Sequence, residues 1–266
     1  MSSIRPILSA LIEREWLVIK RGLPEAFGDG VTALSLHIIM LKFFLPALGM
    51  ATTWQLPLYL GNIMMLSFSV GYQRGMQITF DISTRNSAGY YFTLPISFWW
   101  VILIHVGGAV VTLCTLLLPM GCVGMYLLQG GMPIAGTLWQ TVLMAMLVMF
   151  FFSLLFTMLG IRFTPEKYMD HMWPRVLGPM WTFGTMLFTW QRIYSFSPNL
   201  SYLFLCSPVT YCVEGLRRAV LGDPQFMSVT YCASVVAVCC LVLTILLCAG
   251  VRRRLDPVQG AVRRRA

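Results

Sequence analysis

The sequence predicts an all-α integral membrane protein, and three features of the chain support this fold class. Hydrophobic residues make up 58% of the 266 positions and charged residues only 11%, whereas about a quarter of the residues in a soluble domain are charged. Apolar stretches of roughly 20 residues, the length that crosses a bilayer as a helix, recur along the chain. Lysine and arginine are concentrated at alternate ends of these stretches, which is typical of membrane-spanning helices.

Six apolar segments are candidate membrane-spanning helices. In chain order they are Val31–Ala51, Leu56–Gln73, Phe98–Cys122, Leu138–Ile161, Val176–Trp190 and Val229–Val251. The stretch between Arg85 and Arg162 contains no charged residue and is too long for one crossing. Gly130, Gly131 and Pro133 therefore supply the turn between the third and fourth spans.

The basic residues predict that both termini are cytoplasmic. Four lysines or arginines precede the first span, two follow the second, three lie between the fourth and fifth, and six follow the sixth. The opposite side carries only Arg192, Arg217 and Arg218. Loops rich in lysine and arginine stay in the cytoplasm. We therefore expect one membrane domain, residues 31–251, in a cell inner membrane, followed by a basic cytoplasmic tail, residues 252–266.

Residues 1–30 are predicted to form an interfacial segment ahead of the first span. Apolar residues recur there at the spacing of a helix that lies on the membrane surface, and they are Ile4, Ile7, Leu8, Leu11, Ile12, Trp16 and Ile19. A cytoplasmic helix packed on the rest of the protein is an equally good interpretation of this pattern.

The segment Arg74–Leu94 is polar in its first half and aromatic in its second half. It is too polar to cross a membrane, so we predict a short cytoplasmic helix after span two, ended by Pro95. This composition fits a docking surface for a cytosolic partner, and it fits an ordinary amphipathic loop equally well.

The region Ile193–Asp223 is apolar in two half-length pieces, Leu200–Cys206 and Tyr211–Val220, separated by Ser207 and Pro208. A seventh crossing here would move the C-terminal arginines outside, against the charge asymmetry. We therefore predict an outer re-entrant hairpin between spans five and six. Backbone that enters a membrane without crossing it must be covered by protein or a wet cavity, so the hairpin indicates a crevice open to the outside.

Motifs for other functions are missing from the sequence. It has no phosphate-binding GxxxxGK[ST] loop, no HExxH and no GxSxG, and its three histidines lie in different segments without carboxylates at ligand spacing. We expect no metal or cofactor on this chain and no nucleic-acid partner, because the arginines flank apolar spans instead of forming a basic groove. Cys206 and Cys212 are close enough for a disulfide to be conceivable, although two free thiols are favoured.

Lys42 is the one clear ionisable residue within a predicted span. It either faces a translocation path, pairs with Glu214 or extends toward the membrane surface. Glu214, Arg217 and Arg218 stand at helical spacing of three and four, so mutual pairing on one short helix is the simplest structural interpretation.

The order of these elements resembles that of the ABC-2 type permeases, and two local motifs add to the resemblance. Residues 207–222 read S-P-V-T-Y-C-V-E-G-L-R-R-A-V-L-G, which is similar to the family's N/S-P-hydrophobic-x-Y-x-x-E-x-x-R segment before the last span. Gly71-Tyr72-Gln73-Arg74 and the later Phe92-Thr93-Leu94-Pro95-Ile96-Ser97 are similar to its second-span exit and its entry into span three. The sequence departs from the family at Ser207, where Asn is usual, and at Lys42.

The resemblance implies a permease subunit of an ATP-driven exporter. Such a subunit forms a homodimer or pairs with a homologous permease, and two copies of a separate cytosolic ATPase bind the ATP and Mg. It implies ATPase-coupling contacts at Arg74, Gln77, Asp81 and Arg85. It implies a translocation path and outer gate at Pro208, Tyr211, Glu214 and Arg217. Lys42 joins this set as a candidate path residue because it lies within a predicted span. The cargo would be a lipid-linked glycan or a hydrophobic small molecule, and the alternatives are a membrane-embedded lipid-modifying enzyme and a non-transporting assembly factor.

A cysteine added after Arg265 tests the predicted orientation. Because both termini are expected in the cytoplasm, a membrane-impermeant thiol reagent should label this cysteine only after the cytoplasmic face is made accessible. The unmodified chain gives the background from its own cysteines. Equal labelling from the outside of sealed cells would contradict the predicted even number of crossings.

Overall fold

A computed structural model describes residues 4–83, 96–129 and 137–263, with the backbone alone for Phe98 and residues 252–263. Every regular element within these ranges is helical. The main helices are α1 (Ile4–Ile39), α2 (Gln55–Ser83), α3 (Phe98–Gln129), α4 (Leu138–Arg162), α5 (Pro165–Met172), α6 (Trp190–Phe196), α7 (Pro198–Leu205), α8 (Pro208–Leu221) and α9 (Val229–Arg263).

Four helices in the described ranges are long and apolar enough to cross a membrane. They are Ile4–Ala47, Trp99–Gln129, Leu138–Arg162 and Val229–Val251. These helices contain the first, third, fourth and sixth predicted spans or nearly all of them. The all-helical fold class and the membrane character are therefore confirmed, while the full set of six spans stays a prediction.

The first helix is longer than the sequence pattern predicted. It continues from α1 through a π-helical turn, Met40–Phe44, and runs unbroken to Ala47. No boundary separates an interfacial segment at residues 1–30 from a span that starts at residue 31. At about 1.5 Å per residue its 44 residues extend about 66 Å, more than twice the thickness of a bilayer core.

Contacts along α3 explain why the N-terminal segment continues straight. A side chain at Gly108 would meet Glu15, and one at Gly30 would meet Met120. The two helices therefore run parallel and close together over this length. The apolar stripe that predicted a surface helix is packed partly on protein, since Leu11 and Ile19 are buried.

Helix α2 merges two elements that the sequence analysis separated. The predicted second span and the start of the predicted cytoplasmic helix form one helix from Gln55 to Ser83. This helix is not among the four candidate spans, and it carries the buried polar residues Gln55, Asn62 and Arg74. Arg85 and the rest of the predicted cytoplasmic helix lie outside the described residues.

The predicted fifth span, Val176–Trp190, is wrong as one continuous helix. Helix α5 continues through a π-helical turn, Trp173–Leu177, into Gly178–Thr182 and ends there. Thr185 then has a positive φ of 52°, which a helix does not allow. The carbonyls of Met186 and Phe188 lie beyond this helix and accept hydrogen bonds from Arg217, which carbonyls in a helix interior would not be free to do.

The predicted break after Cys206 is confirmed as a break between two short helices. Helix α7 ends at Leu205 and helix α8 begins at Pro208. Gly222 ends α8 with a φ of 68°, the left-handed conformation that glycine adopts at helix ends. The position of this pair at the outer face stays a prediction.

Helix α4 lies at the centre of the core and packs against α2, α3, α8 and α9. Glycines allow α2 and α4 to approach closely, since a side chain at Gly160 would meet the backbone oxygen of Gly75. Gly71 and Gly75 have the four-residue spacing found where membrane helices pack tightly. Thr79 Oγ1 donates a hydrogen bond to Gly160 O at 2.9 Å.

We expect Gly160→Ala to separate α2 from α4. The added methyl group meets the backbone of Gly75, and overpacking of this kind costs about 1–3 kcal/mol. The loss is measured as a lower melting temperature of the purified protein in detergent. Gly22→Ala is the matched control, since its added methyl group meets nothing within 4 Å, and equal losses in both variants would contradict the close approach.

Candidate functional site

A buried ion pair holds helix α8 in place. Arg217 Nη1 lies 2.8 Å from Glu214 Oε1, and the two side chains are 0% and 1% exposed. The predicted pairing on one helix is confirmed for Glu214 and Arg217, whereas Arg218 Nη1 is buried without a hydrogen-bond partner among the described residues. The alternative pairing of Lys42 with Glu214 is not formed.

Arg217 also binds backbone carbonyls from two other parts of the chain. Its Nε donates to Pro57 O at 2.8 Å, its Nη2 to Met186 O at 3.0 Å and its Nη1 to Phe188 O at 3.2 Å. Glu214 Oε1 accepts a further bond from the backbone N–H of Trp190 at 3.1 Å. The pair therefore ties α8 to the first turn of α2 and to the loop before α6.

Further contacts lie at the same end of the molecule as the Glu214–Arg217 pair. Thr210 Oγ1 lies 2.6 Å from Phe204 O, and Trp190 Nε1 donates to Ser201 O at 3.2 Å. The guanidinium of Arg192 stacks over the ring of Trp54 with 4.5 Å between its central carbon and the ring centroid. Helices α6, α7 and α8 are thus fastened to one another and to the connection between α1 and α2.

The structure brings most of the predicted gate residues together but leaves Lys42 apart from them. Pro208 begins α8, and Tyr211 is buried on the same helix with its ring centroid 5.8 Å from that of Tyr231. Lys42 Nζ instead donates to Leu127 O at 3.0 Å, near the C-terminal end of α3. A cation at that position complements the free carbonyls of a helix end.

A second polar cluster joins α1, α2 and α3. Arg74 Nη1 lies 3.0 Å from Glu15 Oε1, and Arg74 Nη2 donates to Thr112 Oγ1 at 2.6 Å. His105 Nδ1 lies 3.7 Å from the same oxygen of Glu15. Arg74 is 5% exposed, so its side chain positions α1 against α2 and is not on the surface for a partner.

The other predicted coupling residues are more accessible. Gln77 accepts a hydrogen bond from Arg74 at 3.3 Å, and Asp81 forms an ion pair with Arg14 at 3.2 Å, where the side chains are 20% and 45% exposed. Arg85 lies outside the described residues. The role of these residues at an ATPase stays a prediction.

Glu15 and Thr112 were missed by the sequence analysis. A signal for Glu15 is present, because it stands between Leu11 and Ile19 at intervals of four residues on an otherwise apolar stripe. A carboxylate on the buried face of a helix requires a cationic partner. Nothing in the sequence pattern marks Thr112.

An apolar groove separates α2 from the helix that follows α5. It encloses about 390 Å³ and is lined mainly by aromatic and sulfur-containing side chains, namely Met65, Phe68, Ser69, Tyr72, Trp173, Leu177 and Trp181. The indole nitrogen of Trp181 is buried and has no hydrogen-bond partner within the described part of the chain. The groove has the size and chemistry to hold an apolar molecule.

All eight cysteines are free, so Cys206 and Cys212 are not bonded to each other. Within the described ranges no group of histidine, cysteine and acidic residues could hold a metal ion.

Comparisons with protein-family models, curated proteins and solved structures give no match to this chain. The fold and the composition define the class of protein, a membrane protein whose described residues form an all-helical structure with four helices suited to crossing a membrane. Any closer assignment depends on the sites described above.

We expect Arg217→Met to destabilise the protein severely. Removing one partner of a buried ion pair costs about 3–5 kcal/mol, because the remaining charge is left without compensation. The double variant Glu214→Gln with Arg217→Met should recover part of this loss, since no unpaired charge remains. Detergent melting temperatures measure both effects.

Arg175→Met is the control for this prediction, because Arg175 is exposed and forms no ion pair among the described residues. A loss no larger than that of the control would contradict the structural role of the pair.

Proposed function

We propose that this chain is the membrane-spanning permease subunit of an ATP-driven exporter. The observation that carries the proposal is the helix pair α7 and α8, with the Glu214–Arg217 pair buried beneath it. This arrangement lies in the segment whose S-P-V-x-Y-x-x-E-x-x-R pattern resembles the ABC-2 type permeases. A folded-back hairpin that is tied to the core is suited to gate a path at the outer face.

Helix α2 offers a route for coupling between the two ends of the protein. At one end Pro57 accepts a bond from Arg217, and toward the other end Arg74 and Asp81 bind α1. Its 29 residues extend about 43 Å, enough to cross a bilayer. A displacement of its Asp81 end would therefore move the hairpin as part of the same rigid body.

The partners follow from this proposal. Two copies of a cytosolic ATPase would bind ATP and Mg and contact the end of α2, with Gln77, Asp81 and Arg85 as candidate contacts. Two permease subunits, either identical or homologous, would form the path between them. The protein would lie in the cell inner membrane with both termini in the cytoplasm. ATP binding would close the ATPase pair and shift the permease toward the conformation that the closed pair binds more tightly.

The cargo we favour is hydrophobic, either a lipid-linked glycan or an apolar small molecule. The support is the groove between α2 and the helix that follows α5, which has aromatic walls and an indole N–H without a partner among the described residues. An apolar body with one hydrogen-bond acceptor fits this chemistry.

A membrane-embedded lipid-modifying enzyme is a weaker candidate. Such an enzyme needs a carboxylate or histidine free to transfer protons at a pocket. Glu214 is occupied by Arg217 and Trp190, and Glu15 by Arg74. These buried acids are already used to hold the helices together. A non-transporting assembly factor is distinguished from a permease subunit by whether an ATPase co-purifies with the chain.

The proposal is tested by affinity purification of the tagged chain from its native membranes. We expect a cytosolic ATPase with a phosphate-binding loop to co-purify, and its ATP hydrolysis to rise when both are reconstituted in lipid vesicles. Absence of any associated ATPase would favour the assembly factor or the enzyme.

Charge reversal tests the contact between α1 and α2 in that complex. We expect Asp81→Arg alone to reduce the stimulated ATP hydrolysis, and the swap of Arg14→Asp with Asp81→Arg to restore much of it, since the ion pair is re-formed. If the swap restores nothing while the ATPase no longer binds, Asp81 contacts the ATPase directly. Unchanged hydrolysis in both variants would contradict a coupling role for this end of α2.

A further inference from the structure

A cleft opens between the end of α4 and the last apolar turns of α9. It encloses about 470 Å³ and is lined by Met158, Ile161, Arg162, Thr164, Leu246, Leu247, Ala249 and Gly250. Apolar side chains form most of the wall, and the polar side chains are those of Arg162, the last residue of α4, and Thr164, in the short connection to α5. The cleft thus combines an apolar slot with a polar rim.

The rim of the cleft carries a cationic side chain. Arg162 is exposed and forms no ion pair or side-chain hydrogen bond among the described residues. In the sequence, Arg252, Arg253 and Arg254 follow the cleft residue Gly250 and its neighbour Val251. Among the residues that line the cleft, Arg162 supplies the positive charge.

Helix α5 begins beside the cleft, because Thr164 lines the cleft and immediately precedes Pro165. Thr164 precedes this helix as its N-cap residue, but its side chain makes no capping hydrogen bond. The first backbone N–H groups of a helix have no partner within the helix, and they attract anions together with the helix dipole. Glu166 in the first turn opposes this attraction, whereas Lys167 beside it adds to it.

We infer that this cleft binds an anionic phospholipid, with the phosphate at Arg162 and an acyl chain between α4 and α9. The charge of Arg162 at the rim is complementary to a phosphodiester, and a basic side chain near a membrane surface attracts anionic headgroups. The apolar walls favour a lipid over a free phosphate ion, since a soluble anion gains nothing from Met158 and Leu246. The site does not depend on the proposed transport function.

The experiment compares the purified full-length chain in nanodiscs of phosphatidylglycerol and of phosphatidylcholine, together with native mass spectrometry of the detergent-solubilised protein. We expect phosphatidylglycerol to remain bound through purification and to raise the melting temperature, while phosphatidylcholine does neither. Inorganic phosphate at millimolar concentration should not displace it.

Two variants probe the two parts of the site. Arg162→Gln removes the rim charge and should weaken phosphatidylglycerol binding about fivefold, which corresponds to the approximate contribution of one basic residue near an anionic surface. Gly250→Leu places a large side chain on a residue that lines the cleft, in space that is open within 4 Å, and it should weaken phosphatidylglycerol binding by occupying the site of the acyl chain.

Matched controls are Arg175→Gln, at an exposed arginine in the π-helical turn after α5 that does not line the cleft, and Gly107→Leu, at a second helical glycine with open space around it. Both should bind phosphatidylglycerol as the unaltered chain does. The inference is overturned if the controls lose as much lipid as the site variants, if phosphatidylcholine stabilises the protein equally, or if inorganic phosphate competes for the site. Should Arg162→Gln fail to fold, the Gly250→Leu result decides alone.

Discussion

The guanidinium group of Arg217 is the centre on which one whole end of the structure depends. A buried charge costs several kcal/mol unless its hydrogen bonds are all supplied. Here a carboxylate from the same helix and three backbone carbonyls from elsewhere in the chain supply them. The carbonyls of Met186 and Phe188 are available only because the chain there is not helical. The early end of the helix after α5 and the burial of α8 are therefore two consequences of one interaction.

The second ion pair, Glu15 with Arg74, has a similar role in another part of the molecule. It fixes a long N-terminal helix against α2 and α3, where weak van der Waals packing alone would leave the helices free to slide. Because both pairs involve α2, this helix connects two polar clusters that are otherwise far apart in the chain. A protein that must move one end in response to the other benefits from such a rigid connection, and this is the physical basis of the proposed permease function.

Close packing in the middle of the molecule depends on small residues instead of charges. Gly71, Gly75 and Gly160 allow α2 and α4 to approach closely. A side chain at Gly71 would meet the ring of Phe156, and one at Gly160 would meet the backbone of Gly75. Phe68, Phe152 and Phe156 fill the space beside this crossing, with ring centroids 5.0 to 6.4 Å apart. The two kinds of contact leave α2 without room to rotate, so its polar residues keep their partners.

The membrane character, the all-helical class and the break between α7 and α8 are determined by the sequence itself. Composition decides the solvent, apolar length decides which helices can cross, and Pro208 begins a new helix because proline lacks the backbone N–H that would continue the previous one. The pairing of Glu214 with Arg217 also follows from their spacing, since residues three positions apart on a helix are neighbours.

Tertiary structure alone decided the rest. Whether the N-terminal segment forms a separate helix or continues into the first predicted span depends on what its apolar stripe packs against, and the structure shows one continuous helix packed on α3. The carbonyls just beyond the helix that follows α5 bind the guanidinium of Arg217, more than 25 residues further along the chain. Arg74 is a buried partner of Glu15 instead of a surface residue. Periodicity reports which residues share a face, but hydrogen bonds between distant segments decide what that face contacts.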